Sequence, residues 1–363
     1  MRDLVVFIPS IENGGVEKNL FLLLIYLSKK NNKIHLVTAS TNFKKAKLNK
    51  NINIIKPASP NWNNKDRIIK YLLCSILLIK FFFKKKIVIL SFQANVFAIL
   101  VSLIIKAKII IRLNTAPDKY MHNFLQKKMY KFFYNFADLI IVNSLSFKKI
   151  IKHELNLISK CIYNPANSKV IIKKKINFFN NFKGLRILSI GRLTDQKDQI
   201  TILKSAKLLR DQGISFKIYI IGQGYRYKSL LEYVARNKLS KYVKLAGYKP
   251  YAQNYLTSAD LFVLSSKYEG LPNVLIEAQN SNIPIISSEC NTGPREILLN
   301  GKLGELFKVG DYYSLYLKIK DFDKNNKNLK KKSNLAKKHL YRFDHNINSR
   351  KYFEVINKLI NEQ

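Results

Sequence analysis

Acidic residues are scarce in this sequence. Only 23 Asp and Glu stand against 64 Lys and Arg in 363 residues, a formal net charge of +41. Cysteine is also rare, and the three present, Cys74, Cys161 and Cys290, lie far apart. That spacing offers neither a disulfide framework nor a metal set, and it suits a reducing compartment. Long apolar runs are missing too. The most apolar stretch, 71–83, is broken by Lys80 and closed by Lys84-Lys85-Lys86, short of the roughly 20 residues a spanning helix needs. Arg2-Asp3 leads straight into a short apolar run, which is not the opening expected of a secretory leader. What remains is a soluble or membrane-surface protein, whose 47% hydrophobic residues can bury two cores.

The charge has three readings. Basic surface binds nucleic acid non-specifically, and it also attracts an anionic membrane. Yet the lysines are spread through the chain among many Asn and Ile, as compositional drift would leave them.

Strand and helix patterns alternate along the chain. Leu4 to Pro9 is an apolar run ending at Asn13-Gly14-Gly15, and helical spacing follows over 16–29. The paired glycines lack the full dinucleotide fingerprint, though they would let a ligand approach the backbone. Strands are expected at 33–39, 52–56, 87–92, 108–112, 138–143 and 162–165, with helices at 66–83, 96–105 and 120–136. The pattern fails between Ala166 and Lys183, which reads as a linker. It then restarts, with strands at 185–190, 216–221, 243–247, 259–264 and 283–288, and helices at 199–209, 227–237, 252–258 and 273–280. Residues 312–332 and 338–362 read as helical. Alternation throughout predicts an α/β protein of two doubly wound, Rossmann-like parallel-sheet domains. The expected divisions are 1–168, 169–337 and a closing helical segment, 338–363.

The stretch from Ser265 to Ala278 organises the second half. Gly270 and Pro272 bend the chain after an apolar strand, and Pro272 suits the first turn of a helix. Glu269 then stands in the loop, and Glu277 about one turn into the helix. The backbone N–H groups at such a helix start favour an anion. Two carboxylates flanking an anion site suit a ligand with hydroxyls on either side of a phosphate. The same residues also describe a plain helix entry with two solvated glutamates. Arg192 and Lys197 share another strand-to-helix loop, Gly191 to Asp198, where their donors can meet a diphosphate. Gly15, Asn114 and Gly247 occupy further strand ends, the ligand-binding edge of an open parallel sheet.

Gly191-Arg192-Leu193, Gln196-Lys197-Asp198 and the seven-residue gap from Glu269 to Glu277 resemble family 4 of the retaining glycosyltransferases. Gly14-Gly15, Asn164-Pro165 and the run Cys290 to Glu296 are similar to its bacterial surface-polysaccharide branch. The resemblance implies a GT-B fold, two such domains facing each other across a cleft, with the last helix crossing back to the first domain. It implies that Arg192 and Lys197 hold the diphosphate of a nucleotide sugar, with UDP the expected nucleotide. Glu277 would bind ribose and Glu269 the transferred sugar. Gly270, Leu271, Asn273 and Val274 would meet phosphate or sugar oxygens through their backbone. Gly191 and Gly15 would close on the diphosphate, and Gly247-Tyr248 would lie near the base. Many members carry a histidine at the end of the strand that here reads Ile109 to Asn114. This chain has Arg112 and Asn114 there, and with Glu17 these are its acceptor candidates. His122 is the nearest histidine in sequence and is expected on the surface.

The implied activity transfers a hexose or N-acetylhexosamine to a lipid-linked glycan or polysaccharide acceptor. It would need no metal, since no Asp-x-Asp follows a strand and Arg, Lys and a helix start can stabilise the leaving group. The expected location is the inner face of the bacterial cytoplasmic membrane, peripherally bound, with no nucleic-acid partner. A GT-B nucleotide-sugar epimerase and a basic nucleic-acid-binding protein are the competing readings.

Overall fold

The structure is a computed structural model describing residues 3–12, 14–30, 33–41, 48, 51–115, 123–165, 176–180 and 182–362. His122, most of the linker and Asn13 of the first glycine turn lie outside the described residues. The chain forms two compact units, 1–165 with 343–363, and 166–342.

Among the described residues, the first unit is built on a parallel sheet of seven strands. In chain order its elements are β1 (Asp3–Phe7), α1 (Gly15–Ser28), β2 (Ile34–Val37), β3 (Ile52–Ile55), α2 (Arg67–Phe82), β4 (Ile87–Ser91), α3 (Asn95–Ile105), β5 (Lys108–Leu113), α4 (Phe124–Tyr134), β6 (Leu139–Val142), α5 (Leu145–Leu155) and β7 (Lys160–Cys161). The strand order is β3-β2-β1-β4-β5-β6-β7. Strand β1 explains why such strands read as unbroken apolar runs. Val5 and Phe7 enter a core shared with α2, α3 and α5, while Leu4 and Val6 enter a second core under α1. A strand buried on both faces is apolar at nearly every position.

The second unit carries β8 (Leu185–Ile190), α6 (Gln199–Asp211), β9 (Phe216–Ile221), α7 (Tyr227–Arg236), β10 (Val243–Leu245), β11 (Leu261–Leu264), α8 (Asn273–Asn280), β12 (Ile285–Ser288), α9 (Pro294–Ile297), β13 (Glu305–Phe307), α10 (Tyr312–Lys324) and α11 (Lys327–Lys338). Among the described residues its six strands are parallel in the order β10-β9-β8-β11-β12-β13. The chain then returns to the first unit as α12 (His345–Asn361), which packs on α1 through Tyr352, Ile356 and Leu359.

Four expectations change. The last strand of the first unit is Lys160–Cys161, not 162–165. Helix α5 was not anticipated, because its Lys-rich sequence masks the apolar triplet Phe147, Ile151 and Leu155. Strand β13 is three residues long, below the length at which alternation registers. Residues 312–332 are not one helix, since Asn325 turns to extended backbone and separates α10 from α11.

Candidate active site

The strand order of the second sheet reverses between β8 and β11. At such a point the following connections diverge and leave a crevice at the carboxyl edge, where doubly wound sheets bind ligands. The two loops flanking it are 191–198 and 265–272, and they are tied together. Lys267 N–H donates to the Gln196 carbonyl at 2.8 Å, and Gln196 Nε2 donates to the Tyr268 carbonyl at 3.1 Å. Ser265 Oγ donates to the Lys197 carbonyl at 2.9 Å. Across this frame Lys197 Nζ pairs with Glu269 Oε1, their side chains 14% and 8% exposed. Ser266 Oγ donates to the same carboxylate oxygen at 2.7 Å, and Thr292 Oγ1 donates to the Glu269 carbonyl. Two charges so far from water lose hydration, and the geometry must return it. The result is a cation and a carboxylate fixed in place, which an anionic, hydroxylated ligand can engage separately.

Three strand-end turns continue the frame across the sheet. Gly191 N–H donates to the Ile221 carbonyl at 3.0 Å, and Gly222 N–H to the Gly247 carbonyl at 2.9 Å. Gly222 has φ +154°, and a Cβ there would stand 1.8 Å from the Gly191 carbonyl oxygen. A Cβ on Gly224 would come within 2.2 Å of the Leu193 carbonyl oxygen. These contacts require glycine. A Cβ on Gly191 would meet the Lys197 side chain at an ordinary 3.5 Å, and one on Gly247, with φ +66°, would meet nothing within 4 Å, beside the exposed Tyr248. Arg192 is exposed, its guanidinium donating to Gln196 Oε1 at 3.3 Å. Asp198 stands buried in left-handed backbone at φ +49°, accepting from the Thr201 hydroxyl at 2.6 Å, and burial pushes its carboxyl above the usual range.

Helix α8 opens after Pro272 with no side-chain cap, so its positive end is answered by no side chain at the cap. The loop before it is seated on the loop after β12. A Cβ on Gly293, φ +83°, would lie 2.6 Å from both the Gly270 carbonyl oxygen and Pro272 Cδ. Cys290 donates its thiol to the Ser266 carbonyl at 3.2 Å, and burial, with the Glu269 charge behind it, pushes that thiol up to about 12. Gly270 and Leu271 are buried in this loop, Asn273 and Val274 form the first turn of α8, and Glu277 is half-buried farther along it.

In the first unit, Glu17 is buried and folds back over the glycine turn, accepting from the Glu12 N–H at 3.3 Å. Gly15 is exposed as the first residue of α1. Arg112, the second acceptor candidate, is 1% exposed. Its Nε donates to Tyr352 Oη at 2.7 Å and its Nη2 to Asn164 Oδ1 at 2.5 Å, with the guanidinium 4.9 Å from the Phe92 ring centroid. It ties β5 to α12. Asn114 donates to the Phe92 carbonyl at 2.6 Å, and Asn143 donates to the Asn114 carbonyl at 3.3 Å. Arg112 Nη1 and the Oδ1 atoms of Asn114 and Asn143 are buried without a hydrogen-bond partner among the described residues, a cost that a polar ligand or water would relieve.

The structure thus brings Gly191, Arg192, Lys197 and Glu269 onto one frame, and leaves Glu17, Arg112 and Asn114 in the other unit. Ser266, Thr292, Gly222 and Gly224 carry this frame, Asn143 stands beside Asn114 in the first unit, and none was singled out from sequence as a site residue. Only the serine pair after β11 and the glycine pair after β9 gave a local signal. Among the described residues, no three or more His, Cys, Asp or Glu are grouped as metal ligands.

The model of the family "Glycosyl transferases group 1" matches residues 171–339, nearly the whole second unit. An uncharacterized glycosyltransferase of Methanocaldococcus jannaschii is 34% identical over 180 residues, covering 47% of this chain and 44% of that protein. The alignment therefore spans less than half of that relative. The Campylobacter jejuni N-acetylgalactosamine-N,N'-diacetylbacillosaminyl-diphospho-undecaprenol 4-alpha-N-acetylgalactosaminyltransferase is 26% identical, covering 95% of this chain and 96% of that enzyme. Among solved structures, Anabaena HepE in complex with UDP and glucose matches with a TM-score of 0.81 at 15% identity, over 99% of this chain and 100% of that one. The fold shared at that identity is GT-B.

Proposed function

We propose, from a second unit that is a group 1 glycosyltransferase domain, that the chain is a retaining glycosyltransferase of family 4. It moves a hexose or N-acetylhexosamine from a UDP-linked donor to a lipid-linked glycan of a bacterial surface polysaccharide. The observation that carries this reading is the Lys197–Glu269 pair at the β8/β11 reversal. A donor diphosphate takes Lys197 and Arg192 as its counter-charges, and the start of α8 adds a third positive end. Glu269 is then released to hold a hydroxyl of the transferred sugar, and Glu277 holds the ribose. The bond from the sugar carbon to the diphosphate oxygen breaks, its electron pair leaving with the phosphate. The acceptor oxygen bonds to that carbon on the same face, and its proton passes to the departing phosphate oxygen. This chemistry draws its positive charge from side chains and backbone, so chelator is expected to leave the rate unchanged.

In this reading Asn114 and Asn143 take the acceptor in the first unit, while Arg112 and Glu17 position the backbone there. The names of the relatives support the substrate classes, one acting on a diphospho-undecaprenol glycan and one holding UDP and glucose. A lipid-linked acceptor puts the protein on the anionic inner face of the cytoplasmic membrane. Calorimetry against UDP-, GDP- and ADP-sugars is the test. Saturation by UDP-sugars that is lost in Glu277→Ala is the expected result. Binding of none of the three would overturn the reading, as would salt-sensitive oligonucleotide binding that survives Glu277→Ala.

A further inference from the structure

Helix α2 is apolar on two opposite sides. Cys74, Leu78 and Phe82 line its buried side, while Ile68, Leu72 and Ile76 stand 64%, 51% and 62% exposed. Four-residue spacing puts those three on one outward line. Helix α3 contains no charged residue at all, and its Leu100 and Ile104 are exposed. On α4, Phe124, Leu125 and Phe132 are exposed by 69%, 79% and 59%. The three helices pack in sequence, α2 on α3 and α3 on α4, with Tyr71 edge-on to Phe97 at 5.6 Å. All three turn their inner sides to the same core, so the outer stripes share one face. Folding does not require such a face, and water-facing surfaces seldom carry one.

Charge decides what covers it. Between Arg67 and Phe136 the sequence has thirteen Lys and Arg, of which Lys70 and Arg112 are buried and Arg67, Lys108 and Lys127 pair with Glu12, Asp138 and Glu154. The exposed rest ring the face: Lys80 and Lys84 to Lys86 close α2, Lys106 closes α3, and Lys128 and Lys131 ride on α4. Lys128 Nζ lies 4.5 Å from the Phe124 ring centroid. A second copy of the chain would set this cationic rim against itself, a repulsive juxtaposition. An anionic bilayer satisfies both halves, apolar stripes in the acyl boundary and ammonium groups at the phosphates. Among the described residues no helix is long and apolar enough to cross a membrane.

We infer that the α2–α3–α4 face is a membrane-insertion surface that seats its outer side chains in the headgroup–acyl boundary of an anionic bilayer. The inference names the membrane-contacting surface behind the function proposed above and rests on that reading only for its purpose. Charge-driven docking is lost in salt, whereas buried apolar stripes hold.

The experiment is vesicle co-sedimentation of the full chain, with no donor or acceptor present, so that its outcome is independent of the transferase reading. Wild type is expected to bind phosphatidylglycerol–phosphatidylcholine vesicles and to stay bound at about 0.5 M NaCl. The triple variant Ile68→Ser, Leu72→Ser, Ile76→Ser should lose about tenfold or more in partitioning. Lys84→Gln with Lys85→Gln and Lys86→Gln should lose the preference for anionic lipid. Should the serine variant fold poorly, Ile76→Trp, read beside the native Trp62, is expected to shift its emission to the blue and to be quenched by brominated lipid. Release of wild type in salt, unchanged partitioning of the serine variant, or an unquenched Ile76→Trp would each overturn the inference. So would a dimer in light scattering that the serine variant dissolves.

Discussion

The second unit holds eleven of the thirteen glycines, while the first unit has Gly14 and Gly15 alone. Exposed large apolar side chains divide just as unevenly. In the second unit most are tyrosines, Tyr225, Tyr227, Tyr248, Tyr251, Tyr312, Tyr313 and Tyr341, whereas in the first they are Ile, Leu, Phe and Met. Glycine lets backbone pass close to backbone or ligand, and the second unit spends it at Gly222, Gly224 and Gly293, where strand-end loops touch. At the carboxyl edge of its own sheet the first unit has buried amides and one buried arginine instead. One unit closes its strand-end loops on one another; the other presents a broad apolar face with lysines around it.

The largest effect expected from breaking this contrast is at Lys197. On the proposed reading Lys197→Ala should reduce turnover by on the order of 10²–10³, since a bound diphosphate would lose a fixed counter-charge. The same change strands the Glu269 carboxylate, which costs stability by itself. Adding Glu269→Gln should restore the urea midpoint of the second unit but not the rate, and rate recovery in the double variant would sink the diphosphate role. Next comes Gly222→Ala, which forces a Cβ to 1.8 Å from a carbonyl oxygen and should cost about 2–4 kcal/mol. Gly247→Ala meets no atom within 4 Å and should cost about 1 kcal/mol, from its positive φ alone. Denaturation followed through a probe in each unit checks that the loss is confined to the second.

In the first unit the matching test is Tyr352→Phe. It removes the acceptor of the buried Arg112 Nε, held at 2.7 Å, and should cost about 1.5–2 kcal/mol, seen as a lower midpoint for the first unit with nucleotide binding intact. No sequence pattern pointed to this contact. Arg112 and Tyr352 lie 240 positions apart and meet because α12 returns to the first unit. Lys197 and Glu269 are separated by 72 positions and meet because β8 and β11 are neighbours. Periodicity reveals that a strand exists, not which strand lies beside it. What was legible was local. Apolar runs marked the strands, Pro272 the start of α8, and Gly191 and Gly270 the loops. Helix α5 was missed, because its lysines obscured the stripe beneath, although the structure caps it with Ser144 Oγ accepting from Phe147 N–H at 3.1 Å.

The smallest expected effect carries the contrast furthest. Leu100 is exposed on α3 while Ile99 beside it is fully buried. If the outer stripe existed for folding, Leu100→Ser would destabilise the first unit as a core change does, by about 2–5 kcal/mol for a large apolar residue. An exposed site away from caps and pairs should instead stay within about 0.5 kcal/mol. A midpoint shift larger than that would mean the face is packed in solution, and the apolar stripe would need an internal explanation. An unchanged midpoint leaves a surface that costs solubility and returns nothing to the fold, so its apolar character belongs to a contact made outside the chain.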